Sequence, residues 1–372
     1  MKILIAPDKF KGSLSSREAA ERIAAGLGAG FDCRILPLAD GGEGTADAIR
    51  SALSGERHHV EVEDPLGRSV LAAFTLVRRA EERVAVIDMS EASGLWRLGS
   101  APKEPWRAST FGTGQLLRAA VEHGVDRILL GLGGSATNDG GAGMAAALGF
   151  EFLDSQGNVI ASIPADLMEA TGIRAPGRNL PQVIAACDVQ NPLLGESGAT
   201  RVFGPQKGVS PEDFGRHEER LGHLADLVAR DLGFVGRELP GAGAAGGLGF
   251  GAMAFCGAEL QSGFALVAAL TGLPAALAEV DAVITGEGSL DRQTLNGKGP
   301  HGVAKLARSM GKPVIALAGR LERGCGVEAE FDLARTIAPL GTPTEESIAR
   351  AGDWLELAAR ETAEWLRTRI PV

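Results

Sequence analysis

The sequence predicts an α/β fold in two domains. Three observations carry this. Short apolar runs alternate with amphipathic helical stretches near both ends of the chain. In the middle, strand-like runs follow one another without helices between them. The length, 372 residues, is enough for two domains at roughly 150 residues each.

Lys2-Ile3-Leu4-Ile5-Ala6 reads as a fully buried strand. Ser15-Ser16-Arg17-Glu18 is a capping box, and Ala19, Ala20, Ile23, Ala24 and Leu27 follow at helical spacing. Residues 33–39 form a second strand, residues 40–44 a turn, and residues 45–53 a second helix. Strand, loop, helix, strand is the order of a parallel sheet. From His58 the pattern changes. His59-Val60-Glu61-Val62-Glu63 alternates polar and apolar, Asp64-Pro65-Leu66-Gly67-Arg68 is a turn, and residues 69–77 and 83–89 read as further strands. Residues 127–132 lead through a Gly-rich loop to a helix at 144–148, and residues 182–189 form another buried strand. Residues 282–285, 313–317 and 334–338 restore the parallel pattern, and Thr342-Pro343-Thr344-Glu345 caps a last helix reaching about Arg369. The expected topology is a Rossmann-like parallel-sheet domain from both chain ends (residues 1–60 and 268–372). An inserted mixed α/β domain (residues 61–267) interrupts it, with the active site expected in a cleft between the two.

Composition narrows the function. Lys and Arg number 37 against 47 Asp and Glu, a formal charge of −10. A chain this acidic lacks the positive field that nucleic acid and anionic lipid need, so neither is an expected partner. The 52 glycines and 18 prolines exceed the usual combined share of about 12% and fall in clusters. The four cysteines, Cys33, Cys187, Cys256 and Cys325, have no metal-finger or redox spacing and read as core thiols in a reducing compartment. The apolar run Ile3-Leu4-Ile5-Ala6 stops at Pro7-Asp8-Lys9, too short for a secretory leader. Residues 239–258 are long but mostly Gly and Ala, with a weak drive into a bilayer. The expected location is the cytoplasm, away from membranes. Oligomeric state is left open.

In open parallel sheets, ligands sit at the carboxyl ends of strands. After the first strand come Asp8, Lys9, Lys11, Gly12 and Ser13, just before a helix N-terminus, which suits an anion. After the second come Asp40, Gly41, Gly42, Glu43 and Gly44, which offer two carboxylates to a metal or a hydroxyl. The strongest local pattern is Gly131-Leu132-Gly133-Gly134-Ser135-Ala136-Thr137-Asn138-Asp139-Gly140-Gly141, a loop whose successive amides suit phosphate. Thr285-Gly286-Glu287-Gly288-Ser289-Leu290-Asp291, with Thr294, Lys298 and Gly299 beyond it, again joins Gly-rich backbone to acids and a base. Asp188 and Asn191 end another strand, and Phe203-Gly204-Pro205-Gln206-Lys207-Gly208 sets a lysine in a turn.

Other motifs fail. No Walker A, HExxH or GxSxG is present. Gly241-Ala242-Gly243-Ala244-Ala245-Gly246 matches the dinucleotide fingerprint, but Pro240 precedes it, no apolar strand leads into it and no acidic residue ends a strand at the right distance. The inventory fits phosphoryl transfer, where catalysis is mainly positioning and charge neutralisation.

Taken together, Pro7-Asp8-Lys9-Phe10-Lys11-Gly12-Ser13, Ala39-Asp40-Gly41-Gly42-Glu43-Gly44-Thr45, residues 131–141, Gly204-Pro205-Gln206-Lys207-Gly208 and Thr285 to Asp291 resemble the bacterial glycerate kinase family of the glyoxylate and glucarate routes. The resemblance spans essentially the whole chain. It implies transfer of the γ-phosphoryl group of ATP to D-glycerate with Mg2+, giving 2-phosphoglycerate in preference to 3-phosphoglycerate, and two α/β domains. Gln115 follows Phe111-Gly112-Thr113-Gly114 where many members carry Glu.

On this reading Gly133, Gly134, Ser135, Thr137, Asn138, Gly140 and Lys207 are expected to bind ATP. Asp139 and Asp188 hold Mg2+, with Glu287 and Asp291 as a second pair toward nucleotide, metal or base. Lys9 and Lys11 neutralise charge, and Asp8 or Asp40 orients or deprotonates the acceptor hydroxyl. Arg68 clamps the glycerate carboxylate, helped by Ser13 and Glu43. Two readings from other classes stand beside this one: a nicotinamide-dependent oxidoreductase using residues 241–246, and a non-catalytic carboxylate sensor.

Overall fold

The computed structural model describes every residue except Asp40, Ala80, Arg178, Asn179, Gln293, Gly297, Lys298, Leu340 and residues 370–372. In chain order the strands are β1 (Lys2–Ile5), β2 (Asp32–Ile35), β3 (Glu56–Glu63), β4 (Ser69–Arg79), β5 (Glu82–Asp88), β6 (Arg127–Gly131), β7 (Glu151–Leu153), β8 (Gly172–Arg174), β9 (Gln182–Ala186), β10 (Glu259–Gln261), β11 (Ala282–Leu290), β12 (Val314–Leu321) and β13 (Leu333–Thr336). The chain forms two compact units, Met1–Asp40 with Asp47–Leu53 and Gly263–Val372, and Gly41–Ala46 with Ser54–Ser262. Residues 54–60 thus group with the second unit and residues 263–267 with the first, each opposite to the expected division.

The first unit holds a five-stranded sheet in the order β13-β12-β11-β1-β2. All its pairings are parallel. Both faces are covered, which explains the unbroken apolar runs in its sequence. Ile3, Ile5, Ala282, Ile284, Ile315 and Leu317 pack on one side with helices Ser16–Leu27 and Ala351–Arg369. Leu4, Ala6, Val283, Val314 and Ala316 pack on the other with Leu273–Ala278 and Gly299–Ser309. The capping box forms as read: Ser15 Oγ accepts from the Glu18 amide, and the Glu18 carboxylate accepts from the Ser15 amide at 2.8 Å. β2 ends short of residue 39. Pro37 has no N–H to give, and Leu36 and Leu38 continue the pairing toward β1 and Pro7, at 2.9 and 3.0 Å. The last helix is two, Thr344–Ala349 and Ala351–Arg369, divided at Arg350.

The second unit holds a six-stranded mixed sheet in the order β10-β9-β6-β5-β4-β3. β3, β4 and β5 form the antiparallel meander that the alternating sequence requires, and β5, β6, β9 and β10 run parallel. The small β7–β8 pair stands apart. Its core is one continuous apolar cluster that includes Phe74, Ile87, Leu116, Leu130, Val183, Leu224 and Phe250.

Residues 239–258 contain a helix, Ala244–Cys256. Among the described residues no helix is long and apolar enough to cross a membrane. Ala245, Gly246 and Gly247 interrupt this helix with positive φ values of 53°, 72° and 87°. A Cβ on Gly246 would lie 1.9 Å from the Thr137 carbonyl oxygen, so the glycine is required by close backbone approach.

Candidate active site

In the first unit the chemistry gathers at the carboxyl ends of β1 and β11, which are neighbours. Pairing continues past β1: the Ala6 amide donates to Ile284 O and the Asp8 amide to Gly286 O, both at 2.8 Å. This sets Asp8 and Lys9 beside Glu287. Asp8 is 6% exposed and Glu287 8% exposed. Asp8 Oδ1 accepts from the Lys9 amide at 2.7 Å. Its Oδ2 lies 3.2 Å from where a Cβ of Gly299 would stand, at the start of helix Gly299–Ser309, where the helix dipole favours a carboxylate. Glu287 Oε1 accepts from Thr294 Oγ1 at 2.8 Å, and Thr294 Oγ1 accepts from the Asp291 amide at 3.1 Å. Asp291 Oδ2 accepts from Ser289 Oγ at 3.3 Å. Lys9 is half-buried and Lys11 exposed. The structure therefore brings Asp8, Lys9, Glu287 and Asp291 together with Thr294. Ser13 closes the turn: its Oγ and its amide both donate to Phe10 O, at 3.0 and 2.9 Å, which leaves its hydroxyl only as an acceptor toward a ligand. Asp40 and Lys298 lie outside the described residues.

In the second unit the turn at residues 41–46 packs on the Gly-rich loop. A Cβ on Gly133 would be 2.4 Å from Gly42 Cα, so the two backbones touch. Glu43 Oε2 lies 3.6 Å from the corresponding position on Gly134. Asp88, at the end of β5, anchors this turn: its carboxylate accepts from the Gly44 amide at 2.9 Å and the Ala46 amide at 3.2 Å. Sequence reasoning missed Asp88. Its signal was the strand-end rule applied elsewhere, an apolar run closing on an acid, without the glycines that drew attention to the other strand ends.

The Gly-rich loop differs from expectation along much of its length. Gly133 and Gly134 reach the surface, and Ser135 is 7% exposed. Thr137, Asn138 and Asp139 are fully buried, and Gly140 is buried, its amide bonded to Gly246 O at 3.0 Å. The Asn138 side chain donates to Thr200 Oγ1 at 3.0 Å. Thr137, Asn138 and Gly140 thus build the underside of the loop, and the Gly140 amide, already bonded, is not offered to a phosphate. Asp139 corrects the sequence reading most sharply. Its Oδ2 accepts from the Thr110 amide at 2.9 Å, Thr110 Oγ1 at 2.8 Å and the Gly143 amide at 3.2 Å, and its Oδ1 from the Gly141 amide at 3.2 Å. Four protein donors occupy the carboxylate, so it organises the loop and does not suit Mg2+. Asp188 accepts from Ser262 Oγ at 2.8 Å. No group of three or more potential metal-binding His, Cys, Asp or Glu occurs among the described residues.

Arg68 is also corrected. Its guanidinium grips Asp64, whose side chain is wholly buried, at 2.5 Å, and donates to Arg97 O at 3.1 Å. Nε and Nη2 both reach Asp64 Oδ2, so this side of the guanidinium serves the turn and is not offered to a substrate carboxylate. Gln115 is structural: its Oε1 accepts from the Glu63 amide at 2.7 Å. The glycines at 241–246 pack backbone on backbone. A Cβ at Gly243 would meet Pro192 O at 2.2 Å, and this closeness accounts for the fingerprint-like spacing. All four cysteines are free and partly exposed. Burial pushes the Cys187 thiol up to about 11 and Cys256 up to about 12, away from nucleophilic use.

Lys207 is 1% exposed, and its Nζ donates to Thr137 O at 2.7 Å. Burial lowers its pKa to about 7, against the pull of Asp139. Since the unfolded value is 10.5, the unfolded chain binds more protons between about pH 7 and 10.5, and stability rises with pH across that window. Urea unfolding of the wild type and Lys207→Met at pH 7 and pH 10 should show the wild type gaining at least about 1 kcal/mol on the variant. An equal difference at both pH values would contradict the buried, lowered lysine.

A profile of the glycerate kinase family matches residues 3–367. The chain belongs to the glycerate kinase family. It is 44% identical to a glycerate kinase of Halalkalibacterium halodurans over 97% of each chain. It is 40% identical to a glycerate 2-kinase of Escherichia coli K12 over 98% of each. A crystal structure from Salmonella typhimurium LT2, provisionally assigned as a glycerate kinase 2, superposes with a TM-score of 0.86 at 43% identity, covering 99% of this chain and 98% of that one. The two-domain α/β architecture is therefore that of the glycerate kinase family.

Proposed function

We propose that this protein is an ATP-dependent glycerate kinase that phosphorylates D-glycerate to 2-phosphoglycerate. The observation behind this reading is likeness along the whole chain to proteins named as glycerate kinases, one of them a glycerate 2-kinase. The chemistry at the strand ends of the first unit supports it. Lys9 and Lys11 supply positive charge toward the glycerate carboxylate or the transferring phosphoryl group. Asp8, held at a helix N-terminus, orients the acceptor hydroxyl and takes its proton. Glu287 and Asp291 are hard oxygen donors of the kind Mg2+ takes, and they would hold it. When bound, Mg2+ supplies neutralisation of phosphate charge. In the second unit the accessible edge of the Gly-rich loop, Gly133 and Gly134, with Glu43 beside it, faces ligand. Asp40 keeps its place as a second candidate base on its sequence position alone. A cytoplasmic setting agrees with four free thiols.

The test is glycerate-dependent release of ADP. With ATP and Mg2+, ADP should accumulate in proportion to added D-glycerate, and tartronate should be a poor acceptor. ADP formation indifferent to glycerate would overturn the assignment.

A further inference from the structure

Beneath the Gly-rich loop lie two buried basic side chains, Lys207, expected from sequence only to touch the nucleotide, and Arg220, to which the sequence assigned no role. Lys207 comes from the turn Pro205–Lys207, and Arg220, 0% exposed, from helix Phe214–Leu232. They hold successive peptide groups of the loop. Lys207 Nζ donates to Thr137 O at 2.7 Å, and Arg220 Nη2 to Asn138 O at 2.9 Å. Arg220 is itself fixed: Nη1 donates to Trp106 O at 2.6 Å, and its guanidinium lies 4.2 Å from the centre of the Trp106 ring. The next residue, Asp139, is clamped by Thr110, Gly141 and Gly143. On the other side of the loop, the Leu95 amide donates to Gly134 O at 2.8 Å and the Ala136 amide to Ser93 O at 2.9 Å. The turn at Gly133 to Ser135, exposed at Gly134, is therefore a short span between fixed points.

The charge balance of this cluster is unusual. Asp139 is the buried carboxylate that attracts both Lys207 and Arg220. His217, packed against Trp106 and Arg220, is held neutral by burial. Arg216 lies over the Trp106 ring from outside, and Asp213 faces His217. One buried anion thus faces a buried guanidinium and a buried amine whose proton burial has loosened to near neutral pH. Arg220 Nε, Asn138 Oδ1 and Thr137 Oγ1 are buried without a hydrogen-bond partner among the described residues. Stability alone does not call for such a set, because apolar replacements of buried ions are often neutral or stabilising. A positive charge held under a loop of amides does suit an anion lying on the loop's outer side.

We propose that Lys207 and Arg220 are positioning residues for the phosphates of the nucleotide, fixing the Gly-rich loop by its carbonyls and supplying positive charge from below. The proposal rests on the ATP-dependent reading above. Lys207→Met tests it. The KM for ATP and the Kd for ADP with Mg2+ should rise at least tenfold, while the KM for glycerate changes less than threefold and the melting temperature is kept. Unchanged nucleotide constants in the folded variant, whatever its stability, would overturn the proposal. If Lys207→Met does not fold, Arg220→Lys and the native enzyme decide. Arg220→Lys should raise the same nucleotide constants. In the native enzyme the amides of residues 133–141 should gain hydrogen-exchange protection on adding ADP with Mg2+. No gain would overturn the proposal. Failure of the functional reading is distinguishable, because a native protein without glycerate-dependent turnover can still be titrated with ADP.

Discussion

Lys9→Ala lowers kcat/KM for glycerate phosphorylation by at least 100-fold, about 2.7 kcal/mol of transition-state stabilisation, without lowering the melting temperature. The cause is local. Lys9 follows β1 directly, its amide is tied to Asp8 Oδ1 at 2.7 Å, and the same strand end meets β11 through the Asp8 amide and Gly286 O. The backbone around Lys9 is therefore fixed by groups that the substitution leaves alone. What is lost is a charge, in a chain whose formal balance is −10. Where two anionic reactants must meet, one well-placed ammonium is worth several kcal/mol in a partly desolvated site. Lys9→Arg should restore part of the activity, because charge is kept and reach is altered. Steady-state kinetics at saturating ATP checks both variants. Near-normal turnover by folded Lys9→Ala would remove the first unit's strand end from the catalytic machinery.

Asp139→Ala shows the opposite signature. The folded state loses about 4 kcal/mol or more, and the variant is recovered largely unfolded. Its carboxylate satisfies the Thr110 amide and hydroxyl and the Gly141 and Gly143 amides, all inside the protein. Deletion leaves those donors unpaired, at about 1–3 kcal/mol each before relaxation. It also removes the counter-charge to Lys207 and Arg220. A metal ligand behaves differently: its loss costs activity and spares the apo fold. Chemical denaturation of Asp139→Ala without metal separates the two. Stability unchanged from wild type would restore the metal reading that its hydrogen bonds argue against.

These two residues show how far the sequence could be read. The place of Lys9 just past the end of β1 was legible because the strand itself is plain in four apolar residues, Ile3 to Ala6. The helix at Thr45–Leu53 and the Ser15–Glu18 capping box were legible for the same reason: period and cap are written within one or two turns. The meander of β3, β4 and β5 showed itself by alternation. Asp139 was misread because an acid in a Gly-rich loop looks alike whether its partner is a cation or the protein's own amides. The partner that decides, Thr110, stands 29 residues away. Arg220 was illegible altogether. It sits among charged residues of an amphipathic helix, and its role depends on the carbonyl of Asn138, 82 residues earlier. Arg68 failed more subtly: its fork does find a carboxylate, that of Asp64, four residues before it. Local pattern names elements and strand ends; which buried polar groups face each other is a property of the folded chain.

The most direct check is a coupled assay. Purified protein is given D-glycerate, ATP and Mg2+, with enolase added and phosphoglycerate mutase first withheld and then supplied. Phosphoenolpyruvate is expected at once, without mutase, in a fixed proportion to the ADP released, the remainder staying as 2-phosphoglycerate at the enolase equilibrium. Phosphoenolpyruvate that waits for the mutase would place the phosphoryl group on the 3-hydroxyl, and no product under either condition would contradict the kinase itself.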